Sequence, residues 1–338
     1  MKQHISFPSI DQFRNTVKSV KSYCDYNNVD YPTLTFTGTT KIHGSNGGIV
    51  YNPATDELWC QSRENIITIE KDNAGFAWFV ESRKDYFKSL LIDFAEMMPE
   101  DKDIVVIFGE FAGGNIQKGV AVSGIDKFFV AFDVYFAKDN EDKVRAPVSY
   151  HKLIECRELR VYNSFSFDSW IIPIDFSNPG ASTEEMVNLT NQVEACCPVG
   201  KFFGVEGVGE GIVWTSVSNI DWQQNHRFKV KGEKHSVSKV KTGTGVAAIS
   251  PEVMASIDEF VNYAVTPERM EQGIQRVFTE QGKEPDIKDT GVYLKWLFSD
   301  IMKEEHDVLA ESNLEPKQVS GPISKAGRTW FMERINIV

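Results

Sequence analysis

Cysteine is scarce in this sequence, and long apolar runs are absent. The 338 residues include five cysteines, an odd number, and no two of them form a Cys-x-x-Cys pair. This argues against a zinc site built from thiolates and against a disulfide framework, and it favours a reducing compartment. No run of about 18 apolar residues occurs, so we expect no membrane span. The opening MKQHISFPSIDQF has no apolar core, and we expect neither a secretory signal nor a transit peptide there.

Two common nucleotide-binding signatures are also missing. GTTKIHGS lacks the adjacent Gly-Lys-Ser/Thr of a phosphate-binding P-loop. GVEGVGEG leads into a predicted strand, whereas a dinucleotide-binding fingerprint leads into a helix. Neither string therefore predicts a P-loop or a dinucleotide-binding fold.

Acidic residues outnumber basic ones, but the excess is uneven along the chain. The formal net charge is −12, from 48 acidic and 36 basic residues. From Glu252 to Glu315 acidic residues predominate, whereas a basic strip with a single acid, Glu233, contains Arg227, Lys229, Lys231, Lys234, Lys239 and Lys241. Such a strip is typical of a phosphate-binding surface and equally of a solvated strand and loop.

Short segments rich in β-branched and aromatic residues, separated by Gly, Asn and Pro, predict antiparallel strands. The predicted strands cover residues 33–39, 47–52, 58–63, 103–111, 127–136, 211–215 and 227–231. Apolar residues recur at three- and four-residue steps over 72–98, which predicts an amphipathic helix, whole or broken once, capped by Asp72 or Asn73. Ser182 and Glu185 form a capping-box pattern for a helix that ends near Cys196.

Helical signals dominate after a Gly/Thr-rich linker at 242–247. Ser250-Pro251-Glu252 and Thr266-Pro267-Glu268 each supply a cap residue, a proline at the first helical position and an acid in the first turn. Residues 290–311 also carry apolar residues at helical spacing. We therefore predict an α+β protein, with antiparallel sheets flanked by helices over residues 1–241 and a small all-helical domain over residues 248–338.

The segment TKIHGSN places Lys41 at the end of a predicted strand, just before a turn-forming Gly-Ser-Asn cluster. Lysine is a nucleophile only when neutral, and an unperturbed lysine is less than about 0.1% neutral at pH 7. Burial or neighbouring cations increase the neutral fraction. In RFKVK, Lys229 and Lys231 share one face of a predicted strand, while Phe228 and Val230 face the core. The two lysines could bind a polyphosphate and activate a third lysine, or could simply form a solvated strand face.

Four other residues are ambiguous when they are considered singly. Glu110 ends a very apolar strand, where an unpaired carboxylate is costly, and Glu210 precedes another apolar strand after Gly207-Val208-Gly209. Either carboxylate could bind a ribose hydroxyl or a magnesium ion, or could cap a turn. Phe132 has the pattern of a core residue as much as that of a stacking platform, and Arg63, at the end of LWCQSR, has the pattern of a surface residue.

Taken in order, five short motifs give a much more specific signal. They are KIHG (41–44), FGEF (108–111), FVAFD (129–133), EGIV (210–213) and KVK (229–231). This ordered set, over residues 33–241, resembles the covalent nucleotidyltransferases: ATP-dependent RNA and DNA ligases and mRNA capping enzymes. The histidine in the first motif, together with FGEFAGGNIQKGV (108–120), is most similar to the type 2 RNA ligases of T-even phages. The resemblance implies that residues 1–241 form an adenylyltransferase domain.

The resemblance implies a role for each motif lysine. Lys41 would attack the α-phosphorus of ATP and carry AMP as a phosphoramidate, releasing pyrophosphate. Lys229 and Lys231 would neutralise the α-phosphate as charge develops. His43 and Asn46 would act at the nick or at the nucleotide once Lys41 is charged. The AMP would then move to a 5′-phosphate end, and a 3′-hydroxyl would attack that end, expel AMP and seal the strand.

The remaining implied contacts surround the nucleotide. Glu110 is expected at the ribose hydroxyls and Phe132 on the adenine, with Arg63 near the ribose or a nucleic-acid phosphate. Glu210 is expected to orient Mg²⁺ or its water. Ile42 and Val213 are also expected to contact the bound nucleotide.

The C-terminal region distinguishes between members of this superfamily. DNA ligases and capping enzymes are similar in the first domain but carry a small β-barrel after it, whereas residues 248–338 are predicted to be helical. The preferred function is thus an RNA ligase that seals 3′-OH/5′-phosphate ends at nicks in duplex RNA or an RNA/DNA hybrid. An ATP-dependent DNA ligase is the alternative, followed by a catalytically inactive nucleotide- or RNA-binding module. We expect a monomer without membrane contact, in the cytoplasm, or in the host cytoplasm if the protein is viral.

Overall fold

Strands form the framework of the first 231 residues, some with one buried face and others buried on both faces. The computed structural model describes residues 2–72, 74–218, 222, 226–232, 257–312 and 314–336. The strands are β1 (Asp11–Gln12), β2 (Thr33–Lys41), β3 (Ser45–Asn52), β4 (Glu57–Ser62), β5 (Ile66–Ile67), β6 (Ile104–Ala112), β7 (Phe128–Ala137), β8 (Lys143–Arg145), β9 (Val161–Asn163), β10 (Ser169–Asp175), β11 (Gly211–Ser216) and β12 (Arg227–Lys231). All seven predicted strands are confirmed, each to within two residues at either end.

The strands form two sheets. A five-stranded sheet has the order β1-β12-β11-β2-β10. A seven-stranded sheet has the order β5-β4-β3-β6-β7-β8, with β9 pairing with β7 as well. The β1–β12 and β7–β9 pairs are parallel, whereas β2–β11, β3–β6 and β6–β7 are antiparallel.

Helices lie between and after the strands. They are α1 (Phe13–Asn27), α2 (Phe76–Glu81), α3 (Lys84–Ala95), α4 (Val148–Lys152), α5 (Thr183–Ala195), α6 (Pro198–Phe202), α7 (Ile257–Ala264), α8 (Pro267–Val277), α9 (Thr290–Glu304), α10 (His306–Glu311) and α11 (Pro316–Asn336). None of them is long and apolar enough to cross a bilayer, as far as the described residues go. The predicted α+β class, with antiparallel sheets, flanking helices and a helical C-terminal region, is confirmed.

The amphipathic helix predicted over 72–98 is broken once, as the prediction allowed, into α2 and α3. Arg83, the residue before α3, has φ −128 and ψ 20, which is not a helical conformation, and the helix is interrupted there. The first helix begins four residues later than predicted, after Gly75 in a left-handed conformation with φ 80. Asp72 still serves this helix end, because its carboxylate accepts hydrogen bonds from the amides of Gly75, at 3.1 Å, and Ala77.

The chain divides into two compact units. The first comprises residues 1–16, 34–173 and 191–230, and the second comprises residues 17–33, 174–190 and 231–338. The predicted boundary at 242–247 and the helix start at Ser250-Pro251-Glu252 lie outside the described residues.

In the first unit, the central strand β6 is buried on both faces. On one face, Val105 and Ile107 pack with Phe87 and Leu91 of α3 in a cluster of buried apolar residues. On the other face, Phe108 belongs to a second cluster with Ile5, Val50, Trp59 and Tyr135. Because both faces of β6 pack against apolar side chains, its sequence is nearly continuously apolar.

In the second unit, helices α7 to α11 enclose an apolar core of their own. Phe260, Tyr293, Leu297 and Phe331 are all fully buried there or nearly so. Thr266 caps α8, with its hydroxyl accepting a hydrogen bond from the Arg269 amide at 3.2 Å and proline at the first helical position, as predicted. Residues 257–312 and 314–336 contain helices and turns but no strand.

Candidate functional site

Lys41 lies where β2 ends and the chain turns toward β3. Strand β11 pairs with β2 so that Gly211 lies opposite Lys41. Glu210 therefore enters β11 beside this lysine, and Lys41 Nζ donates a hydrogen bond to Glu210 Oε2 at 2.7 Å. The Lys41 side chain is 22% exposed, and that of Glu210 is 3% exposed. The pairing of two strands thus joins residues that are 169 positions apart in the sequence.

His43 shares the same carboxylate. Its Nδ1 is 3.3 Å from Glu210 Oε2, and its side chain is 20% exposed. An ion-paired or hydrogen-bonded contact at that distance needs a proton on Nδ1, because a carboxylate oxygen only accepts. The structure therefore brings together Lys41, His43 and Glu210, all three of which were sequence candidates.

The turn that carries His43 is held at both polar groups of Gly44. The Gly44 amide donates to Glu110 Oε1 at 3.0 Å, and the Gly44 carbonyl accepts from Gln117 Nε2 at 3.2 Å. A Cβ atom at position 44 would lie 2.5 Å from the Phe111 carbonyl oxygen, so glycine is needed for close approach. Asn46 lies opposite Glu110 in the β3–β6 ladder. Gln117 was not predicted, although its polar side chain in the loop AGGNIQKG was a usable signal.

The other nucleotide-binding candidates contact different groups. Ile42 is 9% exposed and packs in an apolar cluster, and Val213 lies in β11 and is partly buried. Phe132 is partly buried, and its ring lies 4.9 Å from the ring of Phe7, centroid to centroid. Arg63 follows β4, with its side chain 49% exposed and its Nε 4.0 Å from the neighbouring glutamate.

The two lysines of the last motif alternate with buried residues along β12. Phe228 and Val230 are 0% and 5% exposed, and Lys229 and Lys231 are half-buried. The predicted division of the strand into a core face and a lysine-bearing face is confirmed. The two lysines therefore lie on the face of β12 that does not pack into the core.

A further charged cluster lies directly after Phe132 and was not predicted. Asp133 is fully buried, and its carboxylate accepts hydrogen bonds from Arg145 Nε, at 2.8 Å, and from Arg227. Burial alone would raise the pKa of Asp133, but the guanidinium groups of Arg227 and Arg145 hold it below its usual value. An acid within the apolar run FFVAFDVYF was the available signal, of the same kind as that for Glu110.

His151 is a buried base near this cluster. It is 2% exposed in α4, and its ring is stacked on Phe165 with centroids 5.3 Å apart. Within the described residues, its Nε2 has no hydrogen-bond partner. Burial lowers the pKa of His151 to about 4, and the nearby Asp133 carboxylate opposes this only in part.

The depressed pKa of His151 predicts a loss of stability in mild acid. The unfolded chain takes up a proton at this site near pH 6.5, and the folded chain does so only near pH 4. The neutral, buried His151 therefore costs no stability above pH 6.5, and the free energy of unfolding decreases as the pH falls from 6.5 toward 4. Between pH 7 and pH 4.5 the loss is about 2 kcal/mol. The test is urea unfolding at pH 7 and at pH 4.5. Between these two pH values, the free energy of unfolding of His151→Phe, which retains a ring against Phe165, is expected to fall by about 2 kcal/mol less than that of the wild type. Parallel losses in the two proteins would contradict the prediction.

Comparison with known proteins supports a specific family. Among solved structures, mutants of a Naegleria gruberi RNA ligase with ATP and Mn and with AMP and Mn each show 15% identity and a TM-score of 0.44, over 69% of this chain and 57% of theirs. The chain thus spans less than two thirds of these solved chains. No match was found among curated proteins. An RNA ligase family model matches residues 34–231, more than half of the chain, and the chain therefore belongs to the RNA ligase family.

Proposed function

We propose that the protein is an ATP-dependent RNA ligase that works through a lysyl-AMP intermediate. The observation that carries the proposal is the Lys41–Glu210–His43 cluster at the end of β2, inside the segment that matches the RNA ligase family. Lys41 Nζ forms a bond to the α-phosphorus of ATP as the bond from that phosphorus to pyrophosphate breaks. AMP then passes to a 5′-phosphate end, and attack by a 3′-hydroxyl forms the phosphodiester and releases AMP.

The contacts within the cluster suit the first step. Attack on phosphorus needs the lone pair of Lys41 Nζ, which is a hydrogen-bond donor in the structure. Glu210 Oε2 accepts that bond and is placed to take the proton, and His43 Nδ1 lies 3.3 Å from the same oxygen. Lys229 and Lys231 would neutralise the α-phosphate as charge develops.

The nucleotide itself would be held by the other motif residues. We assign Phe132, Ile42 and Val213 to the adenine side, and Glu110 and Arg63 to the ribose side. Glu110 already accepts a hydrogen bond from the Gly44 amide. A ribose hydroxyl bound to this carboxylate would therefore be connected, through Glu110, to the turn that carries His43. Asn46, opposite Glu110, would act at the nucleotide or at the nick.

The donor set fits a magnesium ion held mainly by its substrate. Among the described residues, no group of three or more His, Cys, Asp or Glu side chains is arranged to hold a metal. Mg²⁺ commonly uses one or two carboxylates and completes its shell with water and substrate phosphates. Glu210 is the carboxylate that would hold it here, and the ion would neutralise phosphate charge when bound.

The proposed substrate is a nick in duplex RNA or an RNA/DNA hybrid. His43 at the third position of the first motif supports a type 2 RNA ligase, and so does the helical character of residues 257–312 and 314–336, where a DNA ligase would carry a β-barrel. A panel of nicked duplexes with RNA or DNA on each side of the nick, together with single-stranded ends, tests this choice. Sealing of the all-DNA nick in preference to every RNA-containing one would favour the DNA ligase alternative.

The proposed intermediate is tested with radiolabelled ATP. With Mg²⁺ and ATP labelled at the α-phosphate, the protein is expected to gain an acid-labile, alkali-stable label that maps to Lys41. ATP labelled at the γ-phosphate is the matched control, because this label leaves with pyrophosphate. Absence of an adduct, or retention of the γ-label, would rule out nucleotidyl transfer by this protein.

A further inference from the structure

Asp133 joins strands that belong to different sheets. Asp133 lies in β7 of the seven-stranded sheet, as does its partner Arg145 in β8. Its second partner, Arg227, begins β12 of the five-stranded sheet. The side chains of Arg145 and Arg227 are 9% and 11% exposed, and that of Asp133 is 0% exposed. The Arg227–Asp133 ion pair is thus a buried polar link from one sheet to the other.

Each end of this link is next to a proposed ATP-binding residue. Phe132 directly precedes Asp133 and is the extra residue of a β-bulge, since Phe108 pairs with Asp133 and Gly109 pairs with Ala131. At the other end, Lys229 is two residues after Arg227 on the same face of β12.

A second contact runs parallel to the first. The Arg227 guanidinium lies 5.1 Å from the centre of the Phe7 ring, and that ring contacts Phe132 at 4.9 Å. Arg227 is therefore linked to the Phe132 backbone through Asp133 and to the Phe132 ring through Phe7.

We propose that Arg227 and Asp133 are positioning residues that hold Phe132 and Lys229 at the spacing required by the adenine and α-phosphate of one ATP molecule. This inference rests on the proposed function. A buried ion pair stabilises a fold no better than well-packed apolar side chains do, but it fixes direction and distance. Spacing matters because displacement of a reacting group by about 1 Å can cost two orders of magnitude in rate.

The two arginines provide matched variants. Arg227→Gln and Arg145→Gln each remove one positive charge and each leave Asp133 with one guanidinium, but only Arg227→Gln breaks the link between the sheets. We expect the ATP concentration for half-maximal lysyl-AMP formation to rise about tenfold in Arg227→Gln and to change less than twofold in Arg145→Gln. Arg227→Lys retains the charge but has fewer hydrogen-bond donors, so its ATP concentration for half-maximal lysyl-AMP formation is expected to lie between those of Arg227→Gln and the wild type. This variant serves as the test if Arg227→Gln does not fold.

A fragment of the substrate separates positioning from general damage. Inorganic tripolyphosphate has no adenine or ribose and is expected to bind only on the phosphate side, so its inhibition constant should change less than twofold in Arg227→Gln while ATP binding weakens. Parallel weakening of both ligands, or equal effects in the two glutamine variants, would overturn the proposal. If the wild type forms no lysyl-AMP, the proposed function fails and this inference fails with it. If the wild type reacts and Arg227→Gln and Arg227→Lys match it in ATP dependence, only the positioning role fails.

Discussion

Replacing Lys41 with arginine is expected to abolish the protein–AMP adduct without lowering the melting temperature. A guanidinium retains the positive charge beside Glu210, so the buried carboxylate keeps its counter-ion. A guanidinium also stays protonated at every accessible pH and offers no lone pair to phosphorus. The expected loss is complete, because the guanidinium that replaces the Lys41 amine supplies no nucleophile at the end of β2. The measurement is α-labelled ATP transfer, with thermal unfolding recorded on the same samples.

Two further variants separate loss of the Lys41 amine from loss of its charge and from loss of a lysine elsewhere. Lys41→Ala is also expected to lose the adduct, but it removes the charge beside a carboxylate that is 3% exposed and should lower the melting temperature. Lys127→Ala is the control for loss of a lysine that makes a hydrogen bond, since Lys127 Nζ donates to the Ala74 carbonyl at 2.7 Å, and it should retain full transfer. Labelling of Lys41→Arg at the wild-type level would mean that the nucleophile is a different residue.

The second large effect is expected in the helical unit, where Arg269 is buried among acids. Arg269 is 0% exposed, and its Nη2 binds Glu305 Oε1 at 2.8 Å, while its Nε lies 3.1 Å from Asp300 Oδ2. Glu305 is also 0% exposed and accepts from the Tyr263 hydroxyl at 3.0 Å. Arg269→Met leaves the Glu305 carboxylate without its cation, and we expect the free energy of unfolding of this unit to fall by about 3–5 kcal/mol.

The double variant Arg269→Met/Glu305→Met separates pairing from packing. Replacing a whole buried ion pair by apolar side chains is often neutral, so most of the lost stability should return. Hydrogen exchange of peptides from α8 and α9 in the full chain is the suitable measurement, because a chain of two units need not unfold in one step. A double variant as unstable as Arg269→Met alone would mean that the packing of Arg269, not its charge, stabilises these helices.

Local patterns were sufficient for most of the framework and failed where tertiary context decided the outcome. Strand β10, SWIIPID, was missed because Pro173 interrupts its pattern, and proline is tolerated there only because β10 is an edge strand. Helix α1 was missed although Phe13, Val17, Val20 and Cys24 recur at helical spacing, and three of them are buried. The sequence therefore contained the signal for α1, whereas for β10 the deciding information is its place at the edge of the sheet.

The candidate site likewise has one part that the sequence predicted and one part that it did not. Lys41, His43 and Glu210 lie in motifs that are recognisable from their order along the chain, and the structure places them in contact. The Asp133–Arg227 pair could not be predicted, because no sequence rule indicates that β7 and β12 approach each other from different sheets. An isolated acid in an apolar strand shows only that a partner must exist; which arginine supplies it depends on the assembled fold.

The strand order also bears on biosynthesis. Both neighbours of β2, namely β10 and β11, follow it by well over a hundred residues, whereas β3 to β9 all lie between residues 45 and 163. On the ribosome, the seven-stranded sheet can therefore form while β2 still exposes unpaired edges, a state that favours aggregation and chaperone binding. Lys41 pairs with Glu210 only after translation has passed β11, so a chain interrupted before residue 210 would contain Lys41 without the carboxylate on which the proposed lysyl-AMP step depends.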